Sequence, residues 1–256
     1  MRVICNGHAK TPLEFMYMET AAQPLKYYIS SRRIMYLHNI LNKSSNELIH
    51  RVYLAQRDNP TNGNFVELVK ADLENIGIDY DEEYFKGQTK GQLKQHIKKN
   101  ILKLVFEDLK SIQSNHSKVK DIVYNKFQIQ PYMTSPLFNN KMVEILFNLR
   151  SFMTRGIKNN FPSFFKGNMS CKLNCQESET IDCQEHILSC KKLISSLSIE
   201  QQATLKEVIY LDIFGCTEKQ QKIVNLYVRL LEIREEILES LPMGNDIGPS
   251  ITVTPI

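Results

Sequence analysis

Apolar residues recur along most of this chain at steps of three and four, the spacing that lines one face of an α-helix, so the predicted fold class is all-α. The clearest run lies between Thr89 and Ile112, where Leu93, Ile97, Ile101, Leu104 and Val105 form an apolar stripe. Lys90, Lys94 and Lys98 form a flanking basic row that should face solvent. A second long stripe, Ile223, Leu226, Leu230, Ile233 and Ile237, predicts a helix over Thr217 to Leu241 with a face suited to packing on another helix. Phe138, Met142, Ile145, Leu149 and Phe152 predict one that starts at Pro136 and ends near Gly156.

Start and stop signals frame further helices. Thr11-Pro12-Leu13-Glu14 reads as a capping box with proline at the first helical position, opening a short helix to about Thr20. Pro24 opens the next through Leu41, and Ser45 is placed to cap a third to about Arg57. The loop chemistry of 58–63 precedes a helix over Phe65 to Leu73 that ends at Gly77. Periodicity weakens between Ser114 and Ser135, where Pro131 and Pro136 mark a boundary, and Ile199 to Leu211 reads as a late helix.

The expected organisation is a helical platform over 1–131, a basic helix plus cysteine-rich segment over 132–196, and a C-terminal helical pair over 197–241. The Gly- and Pro-punctuated tail, 242–256, is expected to be disordered.

A 42% hydrophobic and 23% charged composition fits a folded chain rather than a disordered one. A net charge of +4 is too small to indicate nucleic-acid binding unless the charges cluster. Apolar runs such as Ile101 to Phe106 are too short to span a bilayer, and residues 1–10 lack the apolar core of a secretory signal. An intracellular, reducing environment is therefore expected, which argues against disulfides.

Under those conditions the crowding of cysteines between Cys171 and Cys190 points to a metal. Cys171, Cys175, His186 and Cys190 follow C-x3-C-x10-H-x3-C, a close cysteine pair followed by a His/Cys pair one helical turn apart. Zinc favours four such donors in a tetrahedron, and a site filled by protein ligands leaves no position for a reactive water. The expected cofactor is thus a structural Zn²⁺. Cys183 could replace Cys171 or Cys175; the outer pair is preferred because it closes the larger hairpin.

Several stretches resemble non-LTR retrotransposon reverse transcriptases in the region that follows the polymerase core. They are TPLEFMYMET from Thr11 to Thr20, PLKYYI from Pro24, RRIMYLH from Arg32 and AQRDNP from Ala55. Leu149-Arg150-Ser151, Asn160-Phe161, the cysteine cluster and EHILSC from Glu185 to Cys190 are similar to that family's C-terminal zinc segment. The resemblance covers about Thr11 to Leu193. It departs in having C-x3-C where the family usually has C-x2-C, and the catalytic aspartate pair of the palm is absent from this sequence.

The resemblance implies a thumb-like connector followed by a zinc segment, cut from or derived from a larger element-encoded protein. A nuclear location and a separate polymerase core as partner would follow. Asp79, Asp81, Glu82 and Glu83 form the one acidic cluster, read as a helix N-terminal charge complement rather than a metal site.

Between residues 141 and 176, Lys141, Arg150, Arg155, Lys158, Lys166 and Lys172 face only Glu144, and Phe161, Phe164 and Phe165 are interleaved with them. Cations on phosphates beside aromatics on bases would suit RNA or single-stranded DNA, though phenylalanines are more often buried. Arg150, Arg155, Lys158 and Lys166 are the first candidates for that contact, with Arg32 and Arg33 next.

A competing reading is a protein-interaction scaffold that self-associates through helix 217–241, whose polar face carries Arg229, Glu232, Arg234, Glu235, Glu236 and Glu239. An enzyme is the least supported class, because the sequence holds no phosphate loop, nucleophile elbow or His-Glu metal motif.

Overall fold

The structure is a computed structural model, and it describes residues 7–154, 156–161, 169–175, 181–206, 208, 213–214 and 216–241. The expected tail, 242–256, lies outside them. The described chain is all-α: among these residues the only β pairing is an isolated antiparallel bridge between Ser170 and Ile181. Two compact units are present, one formed by Pro12–Gln130 and the other by Met1–Thr11 with Pro131–Ile256.

The first unit holds α1 (Leu13–Thr20), α2 (Leu25–Leu41), α3 (Leu48–Asp58), α4 (Phe65–Asn75), α5 (Glu82–Gly87) and α6 (Lys90–Ser114). α6 starts on a capping box in which Thr89 and Gln92 satisfy each other's backbone N–H groups. Its stripe Leu93, Ile97, Ile101, Val105 and Leu109 is buried, and it packs on α1 and α2. Ile34, Leu37, Val69, Leu73 and Phe85 complete the same core. Each such side chain contributes about 1.5–3 kcal/mol on burial. Lys90, Lys94 and Lys98 are exposed, as the amphipathic pattern requires.

Helix boundaries differ from the sequence expectation where a cap was misread. α1 begins after Pro12 with no side-chain cap, so Thr11 and Glu14 do not form the expected box. α3 starts at Leu48 behind Glu47 rather than at Ser45, because residues 44–47 close a turn of their own through the Glu47 N–H to Ser44 O bond. Asp81 caps α5 by accepting the Glu83 N–H, with Glu82 and Glu83 in the first turn.

The second unit holds α7 (Pro131–Thr134), α8 (Asn140–Arg150), a 3-10 turn (Lys158–Asn160), α9 (His186–Ser189), α10 (Lys191–Ile194), α11 (Ile199–Leu205) and α12 (Glu218–Ser240). α8 starts at Asn140 rather than Pro136, because the Asn139 side chain accepts the Met142 N–H. It stops at Arg150, since Phe152 turns into the left-handed region at φ 52° and Gly156 follows at φ 76°. Leu211 and Gly215 lie outside the described residues.

α12 opens on a second capping box, Thr217 with Gln220, and it packs against α8, α9, α10 and α11. Ile223, Val224, Tyr227, Leu230 and Ile233 are buried there, so its apolar face is occupied within its own unit. On its other faces Arg229 pairs with Glu232 and Glu236, and Glu232 also pairs with Lys141. Arg234, expected on the polar face, is instead buried.

Candidate metal centre

Cys171 begins a turn closed by the Asn174 N–H to Cys171 O bond at 3.0 Å, with Asn174 in the left-handed region at φ 49°. Asparagine tolerates that conformation better than most residues. The turn absorbs the extra residue of C-x3-C and returns Cys175 to the side of Cys171. His186 then sits in the first position of α9 and Cys190 at its C-cap, so the short helix holds the second pair.

The ligand atoms of Cys171, Cys175, His186 and Cys190 lie within 4.8 Å of one another. A zinc tetrahedron with 2.3 Å bonds has edges of about 3.8 Å, so modest side-chain adjustment closes this set on one ion. Cys175 Sγ and His186 Nε2 are already 3.2 Å apart. All four residues are at most 8% exposed, and Leu173, Ile187 and Leu193 are buried beside them in the chain. Cys183 stands outside the group, and among the described residues no other set of His, Cys, Asp or Glu side chains is so arranged.

Without a cation, Cys171 and Cys190 shift each other in opposite directions. A hydrogen bond with Cys190 and burial push the Cys171 thiol up to about 12. Cys190, favoured as the thiolate by Cys171 and, against burial, by the backbone N–H groups of Leu193 and Lys192, falls to about 7. Those N–H groups would equally support a metal-bound thiolate. The residues fit Zn²⁺: three thiolates and an imidazole supply its preferred donors and fill its four positions.

Behind the site lies a polar cluster that sequence reasoning missed. Asp182 is fully buried and takes two 2.8 Å contacts from Arg234 Nη2, while the Lys158 backbone N–H donates to its Oδ2 at 3.0 Å. Two residues on, the Gln184 side-chain oxygen accepts from Thr154 and Asn160, and its amide donates to Leu149 O. Tyr227 of α12 donates to the Gln184 carbonyl at 3.1 Å. The segment leading into His186 is thereby fixed on both sides of Cys183.

The cations expected to meet nucleic acid fall in different places. Lys158 is buried beside Asp182 instead of lying on an open surface, because its backbone is drawn in by the carboxylate. Arg150 is half-buried, its guanidinium carbon 5.8 Å from the ring centroids of both Tyr132 and Phe214. Arg155, Lys166, Phe164 and Phe165 lie outside the described residues. In the other unit, Arg33 folds onto buried Asp72 with contacts of 2.7 and 3.0 Å, whereas Arg32 is exposed.

Among the described residues no helix is long and apolar enough to cross a membrane. No model of a protein family matches the chain, and no curated protein or solved structure is detectably similar to it.

Proposed function

We propose that this chain is a zinc-stapled helical module that binds RNA or single-stranded DNA and carries no catalysis of its own. The observation that carries the reading is the convergence of four soft donors on one buried point, closed against water. A closed site stabilises its surroundings rather than activating a nucleophile.

Nucleic-acid binding is supported by cations that remain outward: Arg32, the Lys90, Lys94 and Lys98 row, and Lys191 and Lys192 immediately after Cys190. The sequence resemblance to the post-polymerase region of non-LTR reverse transcriptases points the same way, and with it come a nuclear location and a polymerase core as partner.

The test is a pair of measurements on protein purified without chelator. Metal analysis should give one equivalent of zinc, and affinity for single-stranded RNA should fall steeply as salt rises. Lys191→Ala with Lys192→Ala should weaken that binding. Less than half an equivalent of zinc removes the staple, and absent or salt-independent binding removes the nucleic-acid reading.

A further inference from the structure

We propose that a groove along α2 is a subsite for single-stranded nucleic acid, in which bases stack on Tyr28 and Tyr36 and phosphates pair with Arg32 and Lys90. The proposal rests on the nucleic-acid reading above and assigns it a place. The groove is a cavity of about 810 Å³ whose wall includes these four residues together with Asn39 and Phe65.

Three features of the wall select the ligand. Tyr28 and Tyr36 are 47% and 45% exposed, large aromatic side chains left partly open to water at a cost unless something covers them. They lie eight residues apart on one helix face with Arg32 midway, so about 12 Å of axis separates the rings. That distance spans a few nucleotides of an unpaired strand. Paired bases present edges rather than faces, so a duplex would leave both rings uncovered.

The second feature is charge. No carboxylate lines the groove, and among the described residues neither Arg32 nor Lys90 has an acidic partner within salt-bridge distance. Arg33, one residue away, is held by Asp72, so the contrast lies within a single turn.

The third is orientation. Arg32 donates from Nε to the Tyr28 hydroxyl at 3.0 Å, with its guanidinium carbon 5.0 Å from that ring's centroid. The terminal nitrogens are left for an oxyanion beside a stacking surface. Phe65 meets Tyr36 edge-on at 5.6 Å, which steadies that ring, and the exposed amide of Asn39 is available to a base edge.

The full chain should be titrated with fluorescein-labelled oligouridylate of eight nucleotides, and with an RNA duplex of equal length, by fluorescence anisotropy. Tyr28→Ala with Tyr36→Ala should weaken single-strand binding at least tenfold, while Tyr36→Phe, which keeps the ring and the Arg32–Tyr28 bond, stays within about twofold of wild type. Arg32→Ala with Lys90→Ala should flatten the log–log salt slope by about 1.4, the share of two phosphates.

If the alanine pair binds like wild type while Lys191→Ala with Lys192→Ala weakens binding, the groove is wrong and the wider function stands. If wild type binds no oligonucleotide at any salt, both fall. If a glutamate-rich peptide binds in a Tyr28- and Tyr36-dependent way and oligouridylate does not compete, the groove docks protein and the proposal is overturned.

Discussion

Arg234 and Asp182, fifty-two positions apart in sequence, form an ion pair at 2.8 Å with side-chain exposures of 3% and 0%. A buried charge without its partner is expensive, so the pair anchors α12 to the segment that leads into His186. Arg234 Nη2 also donates to Gly156 O at 3.0 Å, where the chain turns after α8. One guanidinium therefore joins three stretches of the second unit.

Arg234→Ala should destabilise that unit by about 3–5 kcal/mol, because it strands the Asp182 carboxylate in the interior. Urea denaturation followed by near-ultraviolet absorbance of its tyrosines would measure this, and a change below about 1 kcal/mol would contradict it. Replacing both partners, Arg234→Met with Asp182→Leu, should recover a large part of the loss. It cannot recover all of it, since the Lys158 N–H then loses its acceptor.

The pair was legible only in part. Arg234 was read onto the polar face of α12 by its charge, although it follows Ile223, Tyr227 and Leu230 at steps of four, three and four and is buried on that seam. A buried arginine demands a carboxylate, yet nothing local names Asp182, because the contact depends on how α12 and the cysteine hairpin pack. The long helices α6 and α12 were readable because each stripe of apolar residues spans several turns, and α2 because Pro24 marks its start. α3 and α8 began later than expected, because turns before them and the Asn139 cap compete with the starts that Ser45 and Pro136 suggest. The four candidate donors were readable from residue type and spacing, whereas which three of the cysteines gather around His186 required the fold.

The C-x3-C turn makes a backbone prediction. Asn174 holds φ 49°, a conformation that β-branched side chains resist and glycine accepts freely. Asn174→Gly should keep metal affinity close to wild type, and Asn174→Val should weaken it by about 1–2 kcal/mol, roughly ten-fold, in competition with a chromophoric chelator. Equal affinities for the two variants would show that this turn does not position Cys175.

Acid should loosen the first unit through two carboxylates whose protonation is opposed by neighbours. The Tyr27 hydroxyl, followed by Lys26 Nζ at 3.1 Å, holds Asp108 below 3.8 despite partial burial. Burial pushes Glu82 up, but the Tyr53 hydroxyl at 2.6 Å and Arg57 at 3.3 Å outweigh it and leave the group below 4.5. Both have folded-state values below the unfolded ones, so their contribution is complete above about pH 5 and is lost as pH falls through the folded values. Asp108→Asn with Glu82→Gln should be less stable at pH 7 and show a shallower decline as pH falls below the ordinary carboxylate range. Because Asp108 is 40% exposed, solvent screening keeps its share small. A parallel decline in wild type and variant would remove these two groups as the source.

Removal of single ligands separates the metal centre from its neighbour. Cys190→Ala and His186→Ala each delete one of four converging donors and should reduce bound zinc from one equivalent to near zero under mild chelator. Cys183→Ser, outside the group, should retain the full equivalent. Because metal binding is coupled to folding of its surroundings, stripping zinc should cost order in the hairpin and α9. Hydrogen exchange should then rise across 169–175 and 181–190 while α6, in the other compact unit, keeps its protection. If Cys183→Ser loses its zinc and Cys171→Ser keeps it, the ligand set is Cys175, Cys183, His186 and Cys190, and the turn at Asn174 no longer supplies a pair of ligands.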